Sequence, residues 1–302
     1  MPSNQHNWIL QADFNDIYGQ DAAKHQLKAA LLAKRNIILV GPPGIGKTTL
    51  AKNVAKALPS TKKESRFVRV QGSPDLTAED LIGDIDPIKA IEYGPMSPQA
   101  FTPGKLFKAD GGVLFFDEVN RCSEKLQNAL LQALEENIVT IGSYTTDLPA
   151  TFIFIGTMNP EDSSTEPLSD VFLDRFDLIY LDYPETFEIE ERIVKEKAKT
   201  ICTFPDTLFH PVLAFIRALR ESDKLEKKPS VRASIGIYEQ AQAIATVQGR
   251  NTVTFQDILA CLRSVLSHRI RLKPSLKYLQ STEEFVTNEF RTFWEKKHAD
   301  GL

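Results

Sequence analysis

The sequence predicts an α/β fold in which a core domain, built on a five-stranded parallel sheet between helices, is followed by a small all-helical domain. Three observations carry this. Five short segments, at 37–40, 67–70, 113–116, 152–155 and 178–181, are almost continuously apolar, the pattern of strands covered on both faces. Helix-like stretches separate them, as layers of helix on parallel sheet require. After Tyr183-Pro184 only helical periodicity remains. The boundary is therefore set near Pro184, giving domains of 1–183 and 184–302.

The elements follow in order. The first strand runs into a glycine-rich turn and then a helical stretch at 49–58. The second strand is followed by a long connection, 75–105, that a minimal sheet does not need. The third strand ends in Asp117-Glu118, and before the fourth the stretch 137–146 reads as two β segments around a Gly142-Ser143 turn. In the second domain Val212, Phe215, Ile216 and Leu219 share one helical face, as do Ile258, Leu262, Val265 and Leu266. The latter helix starts at Thr254 with Asp257 three residues on, a capping box. The Lys/Glu cluster at 221–228 reads as a solvated interhelical loop. Phe285, Phe290, Phe293 and Trp294 have the spacing of a last helix packed on its neighbours.

The chain has 302 residues, 42% hydrophobic and 25% charged, and a net charge of −4. These are globular proportions. Residues 1–183 carry −7 and the remainder +3, so neither half is a nucleic-acid patch by composition. No apolar run approaches the roughly 20 residues of a bilayer span, and the polar start lacks a signal-peptide layout, so a cytoplasmic protein is expected. Cys122, Cys202 and Cys261 are scattered and odd in number, which argues against a disulfide framework or zinc site. The five histidines lack metal-binding spacing and read as structural or surface residues.

The strongest chemical signal is Gly41-Pro42-Pro43-Gly44-Ile45-Gly46-Lys47-Thr48, a full G-x-x-x-x-G-K-T that leads through Thr49 into a helix. Glycines let the backbone fold tightly around phosphate, and N–H groups at a helix N-terminus favour an anion. Lys47 can reach the β- and γ-phosphates of ATP, and the Thr48 hydroxyl can ligate Mg²⁺. Asp117, at the carboxyl end of its strand, is placed to hold Mg²⁺ through water. Glu118 is placed to orient and deprotonate an attacking water.

With Gly111-Gly112-Val113-Leu114-Phe115-Phe116-Asp117-Glu118-Val119-Asn120-Arg121, Gly156-Thr157-Met158-Asn159-Pro160 and Leu173-Asp174-Arg175-Phe176 in view, the chain resembles AAA+ ATPases of the MoxR family and their relative, the magnesium-chelatase I subunit. The resemblance starts near Ile17-Tyr18-Gly19-Gln20, similar to the family's adenine-side box, and runs to about Arg271. It implies that Asn159 is sensor 1, positioning the lytic water, and that Arg175 is an arginine finger reaching the neighbouring subunit's site. Arg232, in Pro229-Ser230-Val231-Arg232-Ala233, matches sensor 2 at the start of a lid helix. The segments 75–105 and 137–146 match the family's helix-2 insert and pre-sensor-1 hairpin, although Tyr93-Gly94-Pro95-Met96-Ser97-Pro98 departs from many members.

Three function classes follow. The first is an oligomeric ATPase, a hexameric ring by resemblance, that remodels a protein client or inserts a metal cofactor into it, with a von Willebrand factor A-domain protein as partner. The second is a DNA-associated motor or restriction-type NTPase. The third is a nucleotide-sensing scaffold without turnover, against which Glu118, Asn159 and Arg175 argue.

Overall fold

The computed structural model describes residues 7–59, 67–95, 97–136, 138–141, 144–147, 150–160 and 168–299. They form two compact units, Met1–Gly41 with Gly46–Leu181, and Asp182–Leu302 with the short turn Pro42–Ile45.

The first unit is built on five parallel strands, β1 (Ile37–Val40), β2 (Phe67–Gln71), β3 (Val113–Asp117), β4 (Ile153–Met158) and β5 (Asp177–Tyr180). Their order in the sheet is β2-β3-β4-β1-β5. Every residue of β1 and Val113 to Phe116 of β3 are buried, as strands covered on both faces must be. The edge strand β2 departs from that expectation. Val68 and Val70 point inward while Arg69 and Gln71 are exposed, the period-2 alternation of a half-covered strand.

Helices α1 (Asp21–Leu32), α2 (Lys47–Ala57) and α3 (Glu124–Glu135) belong to this unit. Leu126, Leu130 and Ala133 of α3 pack with Leu114, Phe116 and Phe154. Rings of Phe116, Phe154, Phe176 and Phe172 then form a chain with centroid separations of 6.3, 5.4 and 4.8 Å. Fully burying one such ring contributes about 1.5–3 kcal/mol. That anchor fixes the segment on which Arg175 stands.

Two excursions leave the sheet. The connection after β2 holds a helix, Ala78–Ile82, a helix Pro87–Tyr93, and an antiparallel pair, Gly83–Ile85 with Phe101–Pro103. Thr77 and Asp80 close a capping box on the first helix. Before β4, Ile138–Ile141 pairs antiparallel with Tyr144–Asp147. The expected turn at Gly142-Ser143, and Met96, lie outside the described residues.

The second unit contains α4 (Phe187–Lys197), α5 (Asp206–Glu221), α6 (Val231–Val247), α7 (Phe255–Leu266) and α8 (Thr282–Ala299). Thr254 and Asp257 form the predicted capping box, and Phe285 and Phe290 of α8 are buried against Phe215 and its neighbours. One expectation fails. Within the stretch expected as a solvated loop, Leu225–Lys227 pairs antiparallel with Arg271–Leu272. Leu225 and Leu272 are buried, so a single apolar residue inside a charged run was enough to draw the segment onto the core.

Glu190 of α4 is wholly buried and fully paired. Arg220 donates to both its oxygens at 2.6 and 2.7 Å, and the Ser234 hydroxyl donates at 2.6 Å. Arg217 adds a bond at 3.2 Å and also donates to the carbonyls of Pro184, Glu185 and Thr186. Arg220 Nε reaches the Pro229 carbonyl at 2.8 Å. A buried carboxylate is tolerated only with such complete pairing. Its effect here is to tie α4, α5 and the start of α6 into one body. Among the described residues no helix is long and apolar enough to cross a membrane.

Candidate functional site

Parallel strands bring their carboxyl ends to one edge, where ligands of open α/β sheets sit. Here that edge carries Gly41 after β1, Asp117 at the end of β3 and Asn159 after β4. Register confirms the convergence: Val40 lies beside Met158, and Phe116 beside Gly156. Gly41 N–H donates to the Met158 carbonyl at 3.2 Å.

The glycine-rich turn is held by steric necessity. Gly44 has φ 80°, and an added Cβ would lie 2.9 Å from Cγ of Arg232. A side chain there is excluded by backbone and by space alike. Gly46, at φ 101°, caps α2, and its missing side chain leaves room for Ile17 Cδ1, 3.1 Å from an ideal Cβ. The Ile17-Tyr18-Gly19 segment therefore lies against the start of α2. Lys47 Nζ donates to the Gly41 carbonyl, and Thr48 and Thr49 follow in the first turn of α2.

The acidic pair sits in a hydrogen-bonded cluster. Thr157, 1% exposed, donates its hydroxyl to Asp117 Oδ1 at 2.6 Å and accepts from Glu118 N–H at 2.9 Å. Asp117 Oδ2 meets Arg69 at 2.6 Å. Glu118 Oε2 accepts from Gln71 Nε2 at 3.0 Å and pairs with Arg121 Nε at 3.2 Å. Glu118 adopts φ 56°, a left-handed conformation that costs a non-glycine residue about 1–2 kcal/mol and that clusters at functional sites. Gly72 is required beneath it, since a Cβ there would stand 2.1 Å from the Glu118 carbonyl oxygen.

Arg69, Gln71 and Gly72 were not singled out from the sequence, and Thr157 entered only as part of the Gly156–Pro160 motif, without a role of its own. Their signal was the alternation of Arg69 and Gln71 in β2, which places both beside β3 through the pairings Arg69 with Phe115 and Gln71 with Asp117.

Arg175 is not at this edge. It lies two residues before β5, whose Asp177 pairs with Ile37 at the start of β1. Arg175 Nε lies 2.6 Å from Glu135 Oε1, an ion pair without hydrogen-bond geometry. From Asn36 to Gly41 the chain travels roughly 16 Å along the strand, so Arg175 stands at the amino edge and away from its own unit's phosphate turn. Arg232 is exposed in the first turn of α6, beside Gly44. Burial, and then the nearby Arg232 charge, lower the pKa of Arg269.

The model of the AAA domain (dynein-related subfamily) matches residues 36–176, and that of the AAA lid domain matches 217–289. An uncharacterised Bacillus subtilis protein, YeaC, is 30% identical, with 86% of this chain and 85% of that protein covered. Chaperone MoxR1 of Mycobacterium tuberculosis is 29% identical, covering 90% and 77%. A magnesium-chelatase subunit ChlI homologue of Methanocaldococcus jannaschii is 30% identical, covering 78% and 70%.

The chain belongs to the MoxR family of AAA+ ATPases. The family fits the donor set at the carboxyl edge: a lysine and a threonine at a helix N-terminus after β1, with an aspartate at the end of β3, two strands away. Such groups suit a nucleotide triphosphate and a hard, oxygen-binding cation. In this MoxR-family chain Lys47 and the turn would hold ATP phosphates, and Thr48 with Asp117 would hold Mg²⁺.

The second unit holds a further cluster. Glu191, Asp206 and His210 have ligand atoms within 4.8 Å of one another. Lys195 Nζ sits 2.7 Å from Glu191 and 2.9 Å from Asp206, supplying their counter-charge. His210 Nε2 is within hydrogen-bond distance of Glu191 Oε1, at 2.9 Å.

Proposed function

We propose that this chain hydrolyses MgATP in an oligomeric ring and uses the cycle to remodel a protein client. The observation that carries the reading is the coupling of Asp117 and Glu118 through the buried Thr157 hydroxyl, at the same sheet edge as the Gly41–Lys47 turn. Bound Mg²⁺ would neutralise charge on the β- and γ-phosphate oxygens. The chain's own residues do the rest. Glu118 takes the proton of the attacking water at Oε1, because Gln71 and Arg121 both hold Oε2 and so fix the carboxylate plane. Asn159, one residue past β4, orients that water, and Lys47 stabilises the transferred phosphate. Arg232 takes the sensor-2 role that the family resemblance implies, and Arg175 completes a neighbour's site.

The client reading rests on kinship with a chaperone, MoxR1, and with magnesium-chelatase subunits. A hexamer and a von Willebrand factor A-domain partner are the family expectation carried over with it. The excursions at 78–103 and 138–147 lie on the connections that lead into the strands bearing Asp117 and Asn159. We assign them the transmission of nucleotide state to the client.

Phosphate release and nucleotide binding, measured together, test the hydrolytic core. Glu118→Gln keeps ATP binding while turnover falls roughly 10²-fold or more, and Lys47→Ala loses binding itself. Wild-type hydrolysis by Glu118→Gln would remove Glu118 from the role of base.

A further inference from the structure

We propose that Glu135 is the positioning residue for Arg175, setting the guanidinium at the angle from which it serves a second copy of this chain. The inference rests on the reading of Arg175 as a residue acting across the subunit boundary.

Arg175 follows the one-turn helix Asp170–Leu173 and is held from two directions. Its Nη1 donates to the Val171 carbonyl, and its Nε meets Glu135 Oε1 at 2.6 Å. One contact belongs to its own helical turn and the other, an ion pair, to the far end of α3, so two separate elements hold the guanidinium. The second contact holds the guanidinium by charge rather than by a directed hydrogen bond, since Nε has no hydrogen-bond partner among the described residues. A long, flexible side chain otherwise samples many rotamers.

Glu135 occupies a position that local physics disfavours. It is the last residue of α3, where the helix end carries partial negative charge and prefers a cation. The side chains of Arg175 and Glu135 remain 34% and 43% exposed. Pairs that exposed contribute little to folding stability, so stability does not account for a carboxylate at this end. Local rules are broken in this way at functional sites.

The surroundings fit a receiving surface. Arg175 and Glu135 line an open cavity of about 390 Å³ with Lys34, Arg35, Asn36 and Asp174. It lies at the amino edge of the sheet, opposite the edge of the phosphate turn. A head-to-tail contact between copies joins two such unlike surfaces. Lys34 and Arg35 add positive charge beside the finger, and Arg35 is itself steadied by Asp177 at 3.1 Å.

Mixed assemblies of full-length chains separate positioning from a merely structural role. The reference mixture pairs Glu118→Gln, which can donate only the finger, with Arg175→Ala, which can donate only the base. Glu135→Ala is then added to one component at a time. On the Glu118→Gln chain it lowers the mixture's turnover about tenfold, the scale of loss for a misplaced catalytic group. On the Arg175→Ala chain, which has no finger to position, turnover stays within about twofold. Equal losses on both chains, no loss on either, or a rise in turnover would overturn the assignment. A reference mixture without activity would remove the cross-subunit reading of Arg175, and this inference with it. Thermal melting of Glu135→Ala near that of the unmodified chain confirms that the loss is not one of folding.

Discussion

Thr157→Val isolates the feature that couples the two acidic residues. Valine matches threonine in shape but has no hydroxyl, so packing around this 1%-exposed position is kept. Two bonds disappear, the 2.9 Å bond from Glu118 N–H and the 2.6 Å bond to Asp117 Oδ1. An unsatisfied N–H costs about 1–3 kcal/mol and a bond to a charged group is worth about 1.5–3 kcal/mol. Because Arg69 still holds Asp117 Oδ2, the two losses overlap, and about 3 kcal/mol is the expected total. The left-handed backbone at Glu118 loses its support with them. If that loss falls on catalytic geometry, at 1.36 kcal/mol per tenfold, turnover drops by roughly 10². Urea unfolding reads the stability, phosphate release the turnover, and a fluorescent nucleotide confirms that binding persists. Thr157→Ser, which restores the hydroxyl, recovers most of both. A Thr157→Val protein with unmodified stability and turnover would refute the coupling.

Other perturbations follow from the same geometry. Gly72→Ala forces a Cβ onto the Glu118 carbonyl, 2.1 Å away, and destabilises the first unit by at least about 2 kcal/mol with a matching loss of turnover. This is read by denaturation and phosphate release. In the second unit, hydrogen bonding from Arg250 holds the buried Asp257 carboxyl at about 2, below its ordinary 3.8. The folded-state value is depressed, so the stabilisation of about 2–3 kcal/mol is present above about pH 4 and is lost as pH falls towards 2. Arg250→Ala therefore lowers stability at pH 7, and the gap to the unmodified chain closes at the acid end of a pH series. A constant gap down to pH 2 would contradict the assignment of that stability to Asp257.

What could be read from the sequence followed from chemistry that repeats along the chain. Continuous apolar runs such as 37–40 and 113–116 announce buried parallel strands, and the phosphate turn is a contiguous motif. Residues that meet only through the sheet register were invisible. Arg69 and Gln71 reach Asp117 and Glu118 because β2 pairs with β3, a pairing that no local pattern specifies. Thr157 looked like part of a family signature, and its hydroxyl acquired a task only when β4 was seen beside β3. The ribbon joining 225–227 to 271–272 was missed for a similar reason, since Leu225 within a charged stretch signals little until its partner strand is known. Arg175 was found by resemblance, and its place at the opposite edge of the sheet became visible only once β5 was seen beside β1.

The most direct test of the central claim, that one chain supplies the phosphate turn and carboxylates while another supplies the arginine, is the turnover of an equal mixture of Glu118→Gln and Arg175→Ala. Each is inactive alone. With random assembly, half of the sites keep Glu118 and half of those face an intact Arg175, so the account predicts about a quarter of the unmodified per-site rate. A mixture as inactive as its two components, formed under conditions in which the chains demonstrably co-assemble, would contradict it.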